Sequence, residues 1–189
     1  MNPVARSTIN ALYTEPDRRA IMAACRVTPS VVNELLTWLK SKDYSKVTAY
    51  PEQVRVSVTF DVTVQHWIDG NFFSDFRSQI RVSRLAPVFN IEHSFSVQNQ
   101  YPKSLAPWLR GFGSAYIPPQ HELHEQVKAT LEGAGYTELD LWDMDYPVEM
   151  FLGTPLHTEN FLPTVRQALF EDLLDVLEDE NGDSRTSDS

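Results

Sequence analysis

Four carboxylates and two aromatic residues crowd one short stretch of the chain: Asp140, Trp142, Asp143, Asp145, Tyr146 and Glu149. Rings set among acids supply anchors that bury on contact and a charged rim that steers a cationic partner. The alternative is that Trp142 and Tyr146 belong to the core. The same acids raise metal chemistry, because Asp143 and Asp145 are alternate residues that would share a face of an extended segment and could hold Mg²⁺. No phosphate-cradling glycine loop or lysine accompanies them, so the sequence calls for no metal and no cofactor.

A second group of acids, Glu171, Asp172 and Asp175, continues into Glu178, Asp179 and Glu180. Placed in the C-terminal half of a helix they oppose its dipole and repel one another at three- and four-residue spacing. Such a run is either a solvated face or a surface that uses its charge on a basic partner. The net charge is −10, and residues 136–189 hold 14 acids against 2 bases while the rest of the chain is slightly basic. The imbalance therefore belongs to the last third.

The histidines offer little by spacing. His121 and His124 stand three apart on an expected helix, but a zinc site needs a third ligand and no cysteine pair or His-Glu-x-x-His run supplies one. His157 is a third histidine without a spacing that ties it to them. His66 and His93 fall on the apolar face of expected strands and read as structural, hydrogen-bonded residues. Cys25 has no evident base, and as the single cysteine it excludes an internal disulfide and fits a reducing, cytoplasmic setting. The connector around Trp108-Leu109-Arg110-Gly111-Phe112-Gly113 is apolar enough to cover the core, or else forms a lid or partner loop.

The elements that must carry these residues follow from periodicity. Val54, Val56, Val58, Phe60, Val62, Val64 and His66 alternate with polar residues, as do Phe72 to Val82 and Phe89 to Val97. Asp69-Gly70 and Pro87 separate these runs, so they predict a three-stranded antiparallel meander, greasy on one side. Thr137–Trp142 reads as a further strand with Leu139 and Leu141 facing in. Pro119–Glu132 predicts a helix stopped by Gly133 and Gly135. Another is expected over Pro163–Leu177, burying Leu162, Val165, Leu169, Leu173 and Val176. Upstream, Thr14-Glu15-Pro16-Asp17 opens one helix and Thr28-Pro29 another, while residues 1–14 offer one packed turn of Ile9, Leu12 and Tyr13.

The expected fold is α+β: an antiparallel β-meander with an additional strand, one face covered by two helices, plus an N-terminal helical hairpin. The chain divides into a helical arm over 1–50, a sandwich core over 51–178 and an acidic, disordered tail over 179–189. No apolar run approaches the length of a membrane span.

Two resemblances bear on function. The run Ile21 to Leu36 resembles a winged-type helix-turn-helix, with Cys25, Val27, Val32 and Leu35 where that family places small core residues. It departs at Arg26, where a turn glycine is usual, and at Met22, where a small residue is usual. This resemblance implies a DNA-binding regulator using residues 15–42, with Arg18, Arg19, Lys40, Lys42 and Lys46 near the phosphates. The overall layout and charge are similar to those of small acidic bacterial immunity proteins, and also of the acidic chaperones of secreted effectors. The former implies a non-enzymatic inhibitor that blocks a basic partner such as a toxin domain. Asp140, Trp142, Asp143, Asp145, Tyr146 and Glu149 would then make the contact, with Glu171, Asp172 and Asp175 steering it. Reversing Asp143 and Asp145 to Lys is expected to abolish association at little cost in stability.

Overall fold

The computed structural model describes residues 1–13, 17–99, 108–148 and 163–171. Three helices come first: α1 (Pro3–Tyr13), α2 (Arg18–Cys25) and α3 (Ser30–Lys40). The expected pair, α2 and α3, is thus preceded by a full helix where one packed turn was expected. Ala5, Ile9 and Tyr13 of α1 repeat at four-residue spacing and are all buried. Asp17 caps α2 by accepting from the backbone of Arg19 and Ala20, while the hydroxyl expected as a cap, Thr14, lies outside the described residues.

The sheet begins with β1 (Lys46–Ala49), inside the stretch assigned to the helical arm, and continues as β2 (Ser57–Asp69), β3 (Phe72–Ser83), β4 (Val88–Asn99) and β5 (Trp108–Gly113). Neighbours in sequence are neighbours in the sheet, each pair antiparallel. Gly70, with φ near +57°, makes the expected tight turn between β2 and β3. The stretch expected to be a core-covering loop supplies β5 instead. Leu109 and Phe112 of that strand are 62% and 77% exposed, so neither roofs the core.

Helix α4 (Pro118–Gly133) follows, buried along Leu123, Val127 and Leu131 as the stripe requires. With Val31, Val32, Leu35 and Leu39 of α3 it covers Val58, Phe60, Val62, Ile80, Val82, Phe89 and Ile91. Truncating a fully buried leucine such as Leu35 would cost about 2–5 kcal/mol. A second apolar cluster joins Ile9 and Tyr13 of α1, Ile21 and Cys25 of α2, and Val165, Leu169 and Phe170 of α6 (Val165–Phe170) around Val56 and Val88. Ser57 and Ser83, on the opposite side of the strands from Val58 and Val82, donate to the Phe170 and Leu169 carbonyls. Tyr13 donates to that of Ala168 at 2.5 Å. Arg84 ties the layers further, donating to the carbonyls of Cys25 and Pro51.

Several expectations need correction. A bulge at Val64 shifts the register between Thr63 and Gln65, so His66 moves to the polar face, exposed and hydrogen-bonded to Asp75. The strand expected over 137–142 is only β6 (Thr137–Glu138), which pairs in parallel with β4. Asp140 then caps a helical turn, α5 (Leu141–Met144), which turns Leu141 outward while Leu139 stays buried. Helix α6 ends at Phe170, where Glu171 turns extended, and the rest of the helix expected to reach 177 lies outside the described residues. Leu162, Leu173, Val176 and the expected tail lie outside the described residues. Among those described, no helix is long and apolar enough to cross a membrane.

Candidate partner-binding site

The meander places His93 of β4 on its inner face, with Ser78 of β3 on one side and Gly113 of β5 on the other. The Ser78 hydroxyl lies 2.8 Å from His93 Nδ1, and His93 Nε2 lies 3.0 Å from Nδ1 of His124 on α4. Nε2 of His124 is 3.0 Å from Glu138 on β6, whose other oxygen takes the Lys128 ammonium at 2.9 Å. A carboxylate only accepts, so with both rings neutral the donors run one way, from Ser78 through His93 and His124 to Glu138. Burial pushes His93 down to about 4, and the neighbouring His124 adds to the effect. Burial alone would raise the Glu138 carboxyl, but hydrogen bonds from His124 and Lys128 outweigh it and hold it below the usual range.

Beside Gly113, which carries no side chain to fill the space, this relay borders a cavity of about 390 Å³. Glu138, Asp140, Leu141 and Trp142 line it as well, and α4 contributes His121, His124 and Glu125. Spacing alone did not connect His93 with the histidines of α4. What unites them is the register of β3, β4 and β5 beneath the helix, a long-range relation.

Trp142 is 87% exposed and Tyr146 is 45% exposed. The reading that makes both core residues is therefore overturned. The acids around them are partly committed to the fold. Asp140 accepts from the Asp143 backbone, and Asp143 accepts from the Asn2 backbone at 2.7 Å, pinning the start of α1. Asp145 meets Arg166 of α6 at 3.3 Å, and Arg166 also holds Glu92 at 2.6 Å. Asp143 and Asp145 flank a buried Met144 on a helical turn, not an extended segment, so the alternation argument for a shared Mg²⁺ does not apply. Among the described residues no group of three ligating side chains is placed to hold a metal ion. Glu171 is exposed at the end of α6, and Glu149, Asp172 and Asp175 lie outside the described residues.

No known protein family, curated protein or solved structure matches the chain. Function has to be argued from this geometry. The helices of the helix-turn-helix resemblance, for instance, bury their apolar sides in two different clusters, α2 with α1 and α6, α3 with α4. Val27, expected to be a shared core residue, is 62% exposed.

Proposed function

We propose that the chain is a non-enzymatic, acidic binding protein that neutralises a basic protein partner in the cytoplasm, as immunity proteins do to toxin domains. One observation carries this reading: Trp142 stands almost fully in solvent with Asp140, Asp143 and Asp145 around it in sequence and Tyr146 half-exposed beside them. A large ring left in water costs solubility unless a partner covers it, and aromatic residues are the commonest hot spots of interfaces. The carboxylates supply approach and orientation, adding to on-rate more than to final affinity. Burying a tryptophan at the centre of a contact is worth a few kcal/mol.

The DNA-binding alternative draws less support, since α2 and α3 do not share the core that fixes a recognition helix. The test is titration calorimetry against basic toxin-like domains encoded beside this gene, with the wild type and Trp142→Ala. Micromolar or tighter binding that weakens at least tenfold in the variant supports the reading. No binding to any such neighbour, or binding indifferent to Trp142, overturns it.

A further inference from the structure

We propose that the cavity between α4 and α5 receives an arginine side chain of the partner, its guanidinium lodged against Trp142 and the cavity's carboxylates. The inference rests on the proposed function and names the chemistry of its central contact.

The cavity, about 390 Å³, is large enough for one guanidinium with its alkyl stem, and Trp142 stands at its wall. Three carboxylates line it, Glu125, Glu138 and Asp140, and no lysine or arginine does. Glu138 is already engaged by His124 and Lys128. Glu125 makes no hydrogen bond or ion pair among the described residues, its charge acting on Lys128 only through space, so its oxygens can take an incoming donor. His93 in the lining stays uncharged near neutral pH, so it does not oppose a cation. Ile91 and Leu141 give the stem an apolar surface.

Arginine fits better than lysine. A planar guanidinium can stack on the indole face while its edge donates to carboxylates, whereas an ammonium is a compact, strongly hydrated charge. A small anion meets three carboxylates and is repelled.

The experiment uses the full chain labelled with ¹⁵N and a capped tri-arginine peptide, with a capped tri-citrulline peptide as the uncharged control of the same shape. The Trp142 indole resonance is assigned with Trp142→Phe. The arginine peptide is expected to shift that resonance saturably and the citrulline peptide to leave it in place. Glu125→Gln and Asp140→Asn, the latter still able to cap α5, should each weaken binding roughly tenfold, the scale of one charge-assisted contact. Equal shifts with citrulline, shifts that spare Trp142, or indifference to both variants would overturn the proposal. A basic protein that binds through Trp142 but ignores Glu125→Gln sinks this inference and spares the function. An arginine peptide that fills the cavity while no basic neighbour binds does the reverse.

Discussion

His93 Nε2 and His124 Nδ1 meet at 3.0 Å across the interface of β4 and α4, making a direct polar link between that strand and the helix that covers it. Both rings cannot charge there cheaply. Because His93 titrates at about 4 in the fold against 6.5 for an ordinary histidine, the unfolded chain takes up a proton before the folded one does. Stability is unaffected by this group above pH 6.5 and falls as pH drops from 6.5 to 4, by roughly 3 kcal/mol in all. Urea denaturation at stepped pH should show that slope, and His93→Gln, which does not titrate, should flatten it. A second loss follows at lower pH. Hydrogen bonds from their basic partners hold Glu92 and Glu138 below the usual carboxylate range against the effect of burial, so their contribution is present above 4.5 and is lost beneath it.

Gly111 faces Phe95 across the β4–β5 ladder, and a Cβ there would lie 2.3 Å from the Phe95 ring and 3.0 Å from the Tyr116 hydroxyl. Phe95 cannot simply swing away, since it packs edge-on against Tyr116 with centroids 4.6 Å apart. Gly111→Ala should cost about 1–3 kcal/mol, the usual range for overpacking. Phe95→Leu in the same chain should recover part of that loss by giving the methyl room, and chemical denaturation of the single and double variants measures it.

The meander, the stripe of α4 and the turn at Gly70 were legible because they depend on local period and one special residue. The bulge at Val64 was not, since Val54 to His66 alternates without a break and only pairing with Arg77 and Phe76 reveals the extra residue. The early end of β6 was half legible. Continued alternation would have put Asp143 on the leucine face, which signals a break near Trp142, and the break is the Asp140 cap with the α5 turn. The cavity was illegible for a different reason. Its histidines come from β4 and α4, 31 residues apart between His93 and His124, and no spacing rule reaches that far. Period also hid β1 and β5, because four residues and a Gly-Phe-Gly edge are too short or too glycine-rich to register as strands.

Reversing Asp143 and Asp145 to Lys no longer reads as harmless to the fold. Asp143 holds the Asn2 backbone at 2.7 Å, and losing that charge-assisted bond at the start of α1 should cost about 1–2 kcal/mol. Asp145 is 68% exposed on its side chain, and its pairing with Arg166 is worth a few tenths of a kcal/mol at most. Thermal melts of the two single variants should therefore separate, Asp143→Lys falling by several degrees and Asp145→Lys scarcely moving. Equal melting temperatures would mean that the Asn2 contact contributes nothing to holding α1 in place.

Trp142 and Leu139 stand three residues apart and should respond in opposite ways. Leu139 is fully buried between β4 and α6, its carbonyl accepting from Asn90, so Leu139→Ala should cost about 2–5 kcal/mol. Trp142 is 87% exposed, and removing its ring should change stability by less than about 0.5 kcal/mol. Its loss is expected in binding alone, as a rise in Kd with an unchanged denaturation midpoint. If Trp142→Ala instead lowers the midpoint as Leu139→Ala does, the ring is held by the fold in solution. The acidic turn would then have lost the anchor on which its role as a docking surface depends.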